Sequence, residues 1–443
     1  MDSAEREAIA SKILEHSKAD ETEVLILDQD AALTRFTHNA IHQNVASRNV
    51  KVQVRAVSGR RVGVAATNHL DESSLGSLAE RALTLASFAP RDEALAPLPD
   101  AAAYAPAAGA FASSTAEATP QLRARVAADM FAVMEKHAQW SAGFVRTTRG
   151  SVTVLNSHGV QASFEGTDCA LSIKANAASS SGYAEYFGID ASALDGTSVA
   201  TIAAKKAASS ADPQAVEPGD WTVILEPAAF GELFSYITEH FSAQAFEEGS
   251  SFLCDGLDRP YLGDQVTVRD DYAHRLVAGM PFDYEGTPTE RLTLVDRGVA
   301  KNLVTDSYWA AKLKRPNTGH ALPAPNTYGP QPMNIVVDPG TKSIEQLIAE
   351  TKRGLLITRF WYIRTVDQRK TIVTGMTRDG LFLIENGKLT RGVRNMRFNQ
   401  SIIDALKRCE LGNELHRTGG YSYSSAVPAA KLERFTFSSG TDF

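Results

Sequence analysis

The chain has 443 residues, of which 43% are hydrophobic and 22% are charged, and its formal net charge is −7. This composition is close to that of an ordinary soluble globular protein, and a chain of this length can bury a sizeable core without disulfides or metal. The excess of acidic side chains argues against broad binding to nucleic acid.

The cysteines and the apolar runs bear on the cellular compartment. Cys169, Cys254 and Cys409 lie far apart and form no CxxC pair, so they predict neither a zinc ribbon nor a disulfide framework. No apolar run reaches the roughly 18 to 20 residues that a membrane-spanning helix needs. The polar, amphipathic start of the chain also lacks the apolar region of a signal peptide. We therefore expect a cytoplasmic protein with no membrane or nucleic-acid partner.

The first part of the chain predicts a helix followed by strands. Residues 22–29 and 31–39 are rich in β-forming side chains, and 49–68 alternates on both sides of Ser58-Gly59, which predicts a hairpin. A second helix follows, with Asp71 as its expected N-cap. The Ala- and Pro-rich segment 91–117 has no periodicity and predicts a linker.

The middle of the chain predicts two helices around a set of alternating strands. The helices lie at about 118–138 and about 196–209, and we expect the strands between them to turn at Arg149-Gly150 and at His158-Gly159. After the second helix, the Pro- and Gly-containing segment 209–221 is the best candidate for a domain boundary.

Beyond residue 221, a strand at 222–226 and a helix within 230–241 precede many short strands. The predicted fold is therefore α+β, with an N-terminal α/β region of β-hairpins and flanking helices and a C-terminal domain dominated by antiparallel sheet. The predicted parts are an N-terminal α+β subdomain at 1–90, the linker at 91–117, a middle α+β subdomain at 118–217 and a β-rich domain at 218–443.

The helix within 230–241, FGELFSYITEHF, raises the main functional question. Its apolar side chains recur at helical spacing, and Ser235, Tyr236 and His240 lie among them. A zinc-protease helix carries two histidines and places a glutamate beside the first. Only the second histidine is present here, so the residues alone leave open a metal site, the remains of one or an ordinary helix.

The order of the segments from residue 221 onward resembles one protein family. The series begins with WTVILEPAAFGELFSYITEHFS and continues with EEGSSFLCDGLDRPYLGDQVTVRDD, PFDYEGTPTERLTLVDRGV, NTGHA, MNIVVDPGT, GLLIT, GLFLIENGKL and LGNEL. With the hairpin at 49–68 and VLNSHG at 154–159, it resembles the TldD/PmbA family, the so-called modulator-of-DNA-gyrase family of peptidases. The resemblance covers nearly the whole chain.

The resemblance also shows which functional residues are missing. Active TldD-type members carry an HExxxH helix that, with a C-terminal cysteine, holds a catalytic zinc ion. On this sequence the first histidine falls on Ser235, the glutamate on Tyr236 and the second histidine on His240. The cysteine position falls within 416–422, which has no cysteine, and Cys409 precedes it. The chain therefore resembles the TldE (PmbA) type, which lacks the zinc motif.

In that family such a chain pairs with a metal-bearing TldD-type chain, and the dimer encloses a cavity for unfolded peptides. The resemblance thus implies no catalytic residue, metal ligand or cofactor in this chain, with zinc in the partner; a homodimer is the alternative assembly. Two other functions stay open. The chain could be a peptidase by itself through a rebuilt site of His240, His320 and a carboxylate, or a homodimeric peptide-binding protein without protease activity.

Charged side chains in 361–387 are candidates for peptide binding. Arg364, Asp367, Arg378 and Asp379 are expected on strands and a turn, where arginines would attract the carboxylates of a peptide added to the sheet edge. The alternative is ordinary cross-strand ion pairing, with TRDG as a turn.

Two histidines have structural alternatives of their own. His320 is a further candidate for peptide binding. It lies in the Gly- and Pro-rich segment 317–333, which suits a cavity lid or a dimer contact. His240 could simply be a half-buried helix histidine whose partner is Tyr236, four residues earlier.

Overall fold

The computed structural model describes residues 1–420 and 423–441, and it confirms the predicted α+β class. Within these described residues, three β-sheets carry short and medium-length helices, with one sheet in the N-terminal half and two in the C-terminal half. None of the helices in this part of the chain is long and apolar enough to cross a membrane.

The first sheet joins the strands that precede and follow the segment 91–117. Its strands are β1 (Glu21–Thr37), β2 (Ala40–Ser58), β3 (Arg61–Thr67), β4 (Trp140–Asn156), β5 (Gln161–Asn176) and β6 (Ser181–Gly188). They are antiparallel and lie in the order β3-β2-β1-β4-β5-β6. Because β1 pairs with both β2 and β4, segments on both sides of 91–117 share one sheet. The division of the chain into four parts stays a prediction.

Capping residues position the helices of this half. The helices are α1 (Ser3–His16), α2 (Glu72–Gly76), α3 (Leu78–Phe88), α4 (Ser113–Ala116), α5 (Pro120–Lys136) and α6 (Gly196–Ser209). Asp71 is the predicted N-cap, and its carboxylate accepts the Ser74 amide at 2.9 Å. Asp195 caps α6 through the Ser198 amide at 2.8 Å. The predicted helices at 118–138 and 196–209 are confirmed.

Two of the three turns predicted for the first sheet are confirmed. The hairpin at Ser58-Gly59 is confirmed, because Gly59 and Arg60 both have positive φ and join β2 to β3. The turn at His158-Gly159 is also confirmed and joins β4 to β5. The predicted turn at Arg149-Gly150 is wrong. Gly150 lies inside β4 and pairs with strands on both sides, so ladder hydrogen bonds override the local preference of glycine.

The C-terminal half contains an open sheet and a closed one. The open sheet contains β8 (Val268–Asp270), β9 (Leu292–Asp296), β10 (Val299–Ala300), β11 (Asn334–Val337), β17 (His416–Gly420) and β18 (Tyr423–Val427). The other contains β7 (Gly219–Leu225), β12 (Arg353–Asp367), β13 (Ile372–Glu385), β14 (Lys388–Gly392), β15 (Met396–Ser401), β16 (Cys409–Leu411) and β19 (Ala430–Gly440). Because β12 also pairs with β13, the path β12-β7-β19-β15-β13 closes into a ring.

Helix α7 lies against this ring and is the central helix of the C-terminal half. The helices here are α7 (Pro227–Thr238), α8 (Ala243–Glu247), α9 (Ser307–Leu313), α10 (Ile344–Ala349) and α11 (Ile402–Leu406). Phe230, Leu233, Phe234 and Ile237 of α7 are buried in the largest core cluster. Their spacing of three and four residues places them on one face of the helix.

Three sets of oppositely charged side chains join the first sheet to the C-terminal half. They are centred on Arg55, Asp168 and Asp379, and we call them the docking ion pairs. The first joins Arg55 of β2 to Glu285 at 2.8 Å. The second joins Asp168 of β5, which Arg146 also contacts, to Arg417 of β17 at 3.7 Å. Charges removed from water need such partners to be tolerated.

The third docking ion pair is centred on Asp379 of β13, whose side chain is 1% exposed. Its carboxylate contacts Lys174 of β5 at 2.9 Å and Arg359 of β12, and it accepts the Ser181 hydroxyl at 2.8 Å. Burial opposes ionisation, but the charges of Arg359 and Lys174 outweigh it and hold the pKa of Asp379 below its usual value. Asp379 therefore stays charged at neutral pH.

Replacing Asp379 with alanine leaves Arg359 and Lys174 facing each other without their counter-ion. We expect Asp379→Ala to lower the free energy of unfolding by about 3 kcal/mol in urea denaturation. The control is Asp367→Ala, which removes a half-exposed carboxylate at the β12–β13 turn and should cost much less stability. Equal losses in the two variants would contradict a docking role for Asp379.

Candidate functional site

Helix α7 holds two of the three positions of the expected zinc motif. Pro227 occupies its first turn, and the helix ends at Thr238, before the predicted end at 241. A 3₁₀ turn, Glu239–Phe241, follows and carries His240. Ser235 and Tyr236 therefore lie on the helix, whereas His240 lies on the tighter turn beyond it.

The side chains at the motif positions are engaged with the protein itself. The Ser235 hydroxyl donates to the Glu232 carbonyl at 2.7 Å, and the Tyr236 phenol donates to the Ile363 carbonyl at 2.9 Å. His240 is 1% exposed, and its Nδ1 accepts the Phe252 amide at 3.2 Å. Its partner is thus Phe252 and not Tyr236.

These donors do not fit a zinc ion. Burial raises the pKa of the Tyr236 phenol, which keeps it neutral, and neutral hydroxyls are poor zinc ligands. Burial lowers the pKa of His240 to about 4, so the ring is neutral, but it lacks companion ligands. Among residues 1–420 and 423–441, no three His, Cys, Asp or Glu side chains are grouped to hold a metal. Of the expected cysteine position, 416–422, residues 421 and 422 lie outside the described residues.

Strands β12 and β13 form the other side of this region. The Arg359 guanidinium lies over the ring of Tyr183 at 4.0 Å, and the Arg378 guanidinium lies over Trp361 at 4.8 Å. TRDG is not a turn, because β13 runs through it. Asp379 and Gly380, both with positive φ, form a bulge there that directs Asp379 towards Arg359.

The structure brings some of the predicted peptide-binding residues together on an exposed surface. Arg364 lies over the Tyr362 ring at 4.5 Å and donates to the Ile363 carbonyl at 2.7 Å, next to the phenol of Tyr236. Trp361 and Tyr362 are 41% and 62% exposed. We call this region the α7–β12 surface, comprising Glu232, Ser235 and Tyr236 of α7, Arg359–Arg364 of β12 and Arg378 of β13.

The other candidates lie elsewhere or are buried. Asp367 is at the β12–β13 turn, where its carboxylate accepts the Lys370 amide at 3.1 Å. Asp379 belongs to the docking ion pairs. His320 is buried: its Nδ1 contacts the Thr318 hydroxyl at 2.9 Å, and its Nε2 lies 3.5 Å from Asp270. His320 is therefore not a lid residue on the surface, and it does not join His240 in a metal-binding group.

Glu232 is a titratable group that the sequence analysis missed. Burial raises the pKa of its carboxyl to about 7, while Arg359 lowers it and Glu185 raises it further. The only signal in the sequence is an acidic residue one turn before Ser235 on an otherwise apolar helix. The α7–β12 surface therefore contains a carboxyl group that exchanges its proton near neutral pH.

Comparison with known proteins assigns the family. Three family models match in order: "PmbA/TldA metallopeptidase domain 1" at 22–86, the "central domain" at 108–211 and the "C-terminal domain" at 218–439. The chain belongs to the PmbA/TldD metallopeptidase family. The structure resembles the crystal structure of TldE from Thermococcus kodakarensis, with a TM-score of 0.88, 20% identity and coverage of 98% of this chain and 99% of that one.

Sequence relatives in the PmbA/TldD family match over about half of this chain. The metalloprotease PmbA homolog of Haemophilus influenzae is 30% identical over 209 residues, 46% of this chain and 43% of that protein. The metalloprotease PmbA of Escherichia coli O157:H7 is 27% identical over 206 residues, 45% and 43% of the two chains. The match thus spans less than half the length of each of these curated relatives.

The raised pKa of Glu232 gives a test by pH. A carboxyl with a higher pKa in the folded state binds its proton more tightly there, so its contribution to stability falls as pH rises from about 4.5 to about 7. We expect Glu232→Gln to gain about 2 kcal/mol of unfolding free energy relative to wild type between pH 5 and pH 8. A difference between the two proteins that does not change with pH would contradict the raised pKa.

Proposed function

We propose that this chain is the non-catalytic, TldE-like subunit of a TldD/TldE-type metallopeptidase complex that acts on unfolded or small peptides. The proposal rests on the hydrogen bonds that the side chains at the motif positions make within the chain. Ser235 and Tyr236 donate to backbone carbonyls, and His240 bonds the Phe252 amide. In addition, no histidine of the chain is followed directly by a glutamate.

The division of labour in such a complex follows from these residues. Zinc supplies a Lewis acid and an activated water, and it would be held by a TldD-type partner with an intact HExxxH motif. This chain would close the peptide chamber and help to hold the substrate, in the cytoplasm. A heterodimer is the proposed assembly, and a homodimer without protease activity is the competing one.

The α7–β12 surface is the proposed docking site for the peptide. Trp361 and Tyr362 offer exposed rings for apolar side chains, and Arg364 and Arg378 offer charge for carboxylates. Strand β12 pairs with β7 at Leu355–Ile357. Among its later residues the Ile363 carbonyl is taken by the Tyr236 phenol and the Arg364 guanidinium, so a peptide strand would use the main-chain groups that remain on that edge. An extended peptide can add to such an edge by β-augmentation.

The assignment of catalysis to the partner is testable by reconstitution. We expect peptidase activity only when this chain is co-purified with a TldD-type chain from the same organism. Replacing the motif glutamate of the partner with glutamine should lower kcat at least about 100-fold. His240→Gln in this chain, which keeps an acceptor for the Phe252 amide, should change kcat by less than about twofold.

Zinc analysis of each purified chain completes that experiment. Near-stoichiometric zinc in this chain alone, lost in His240→Gln, together with peptidase activity, would overturn the proposal and favour a peptidase that acts by itself.

Peptide docking is testable with two tryptophans of equal exposure. We expect Trp361→Ala to weaken the binding of a fluorescently labelled unfolded peptide by about tenfold, because an aromatic anchor is lost. Trp140→Ala is the control, since Trp140 is 40% exposed on β4 and stacks on His38. Fluorescence anisotropy gives both dissociation constants, and similar losses in the two variants would count against the α7–β12 surface.

A further inference from the structure

A loop of the C-terminal half closes directly onto the first sheet, and we call its residues 282–287 the joint loop. Gly286 lies so close to the sheet that a Cβ atom there would be 2.5 Å from Cγ1 of Val160, just before β5. The Tyr104 phenol, from the segment 91–117, donates to the Gly286 carbonyl at 2.7 Å. The joint loop and the first sheet are therefore in direct contact at this point.

Two buried glutamates share one guanidinium at this contact. Arg55 Nη2 lies 2.6 Å from Oε2 of Glu23, which pairs with it across β1 and β2, and Arg55 Nη1 lies 2.8 Å from Oε1 of Glu285 in the joint loop. Both glutamates are buried. When both are ionised, two carboxylates face one positive charge in a region shielded from water, and such an excess of charge is costly.

Two further carboxyl groups adjoin Glu285 and add to this excess. Asp283 accepts three backbone amides of the C-terminal half, each at 2.9 Å, and Asp306, the N-cap of α9, accepts the Trp309 amide at 2.8 Å. Burial and the charge of Glu285 raise the pKa of both acids, that of Asp306 to about 6. In the described part of the chain, Arg55 is the only cation in an ion pair with any of the four acids.

Of the two glutamates that share Arg55, Glu23 binds a proton more readily. The Oε2 atom of Glu285 also accepts the Ser307 amide at 3.2 Å. Burial opposes the ionisation of Glu285, but Arg55 and Ser307 outweigh it and lower its pKa. Burial raises the pKa of Glu23 to about 7, although Arg55 lowers it, and the charge of Glu285 raises it further. Glu23 is therefore the acid of this pair that exchanges its proton near neutral pH.

The other ionisable groups around Glu23 supply no counter-charge to it. Glu21, two residues earlier on the same face of β1, contacts His158 at 3.4 Å. The phenols of Tyr104 and Tyr284 have pKa values raised by burial, so both stay neutral. The charge of the contact therefore depends on the proton of Glu23.

We propose that the contact between the joint loop and the first sheet is a pH-sensitive joint, held closed by a proton on Glu23. With that proton in place, Arg55 neutralises Glu285 alone. Without it, two carboxylates compete for one guanidinium, and the joint loop separates from the sheet more often. The inference goes beyond the proposed function and does not depend on it, because it concerns a contact within this chain.

The direction of the pH effect follows from the state of Glu23 when the joint is open. In water its carboxyl returns to a pKa of about 4.5, so the closed joint binds the proton more tightly than the open one. The closed state is favoured most below pH 4.5, and it loses this advantage as pH rises to about 7. Between pH 5.5 and pH 8, a rise in pKa from about 4.5 to about 7 lowers the ratio of closed to open molecules about 30-fold.

Hydrogen–deuterium exchange of the full-length chain tests the joint from both sides. The reporters are the Gly286 amide, bonded to the Asp283 carbonyl at 3.0 Å, and the Val160 amide, bonded to Asn156 at 3.0 Å. Their protection factors, which correct for the intrinsic pH dependence of exchange, are compared at pH 5.5 and pH 8. We expect both to fall by about 30-fold in wild type as the joint opens. In Glu23→Gln, which mimics the protonated acid, they should fall by about fivefold or less.

A matched variant and an internal reporter control the measurement. Glu165→Gln changes a glutamate of β5 that pairs with Arg6 and Arg149 within the first half, and it should keep the wild-type loss. The Phe230 amide of α7, in the core of the C-terminal half, should stay protected at both pH values.

Three results would overturn the inference. They are unchanged protection at Gly286 and Val160 in wild type, an equal loss in wild type and Glu23→Gln, and a loss of protection at Phe230 as large as that at Gly286. The last result would mean that the C-terminal half unfolds as a whole, and not that the joint opens.

Discussion

The arrangement of the two halves depends on one constraint, which is that charges buried between them must be paired. Arg55, Asp168 and Asp379 lie in the contact between the first sheet and the C-terminal half, and each finds its counter-ion across that contact. Because an unpaired charge would be costly there, the ion pairs stabilise the observed placement of the two halves. The same placement brings β6 and the first turn of α7 to the two sides of one cavity of about 440 Å³.

Helix α7, on which the expected zinc motif falls, has a structural role that its apolar side chains alone explain. Its apolar face fills the core of the C-terminal half, and this requirement is independent of any zinc ion. The positions that would carry ligands face the polar side. There Ser235 and Tyr236 tie the helix to its own backbone and to β12. Packing of its apolar face is therefore sufficient to hold this helix in the C-terminal half.

The sequence predicted those elements that local chemistry determines. Asp71 caps a helix through its own side chain, and the Ser58-Gly59 hairpin follows from backbone angles that glycine adopts easily. Predictions failed where hydrogen bonds to strands distant in the sequence determine the backbone conformation. Gly150 lies inside β4 because the strand is hydrogen-bonded to β1 and to β5 there. The segment TRDG forms a bulge within β13 where that strand pairs with β12.

The candidate site was predictable only in part, for the same reason. Sequence order located Ser235, Tyr236 and His240, and it marked the strand that carries Arg364. The pKa of Glu232 arises from burial beside Arg359 and Glu185, which lie far from it in the chain. The cavity between β6 and α7 likewise combines residues of β6, α6, α7 and β17. No local pattern in the sequence encodes such combinations.

The closed ring of the C-terminal half has a consequence for how the chain folds. Strand β7 lies between β12 and β19, so Trp221 pairs with Phe435 across most of the C-terminal half. The ring cannot close until residues 430–440 are available, and contacts between such distant residues slow folding. During synthesis, the apolar face of α7 would therefore stay partly exposed until the last strand has been made. Nascent-chain protection by chaperones would matter most in that interval.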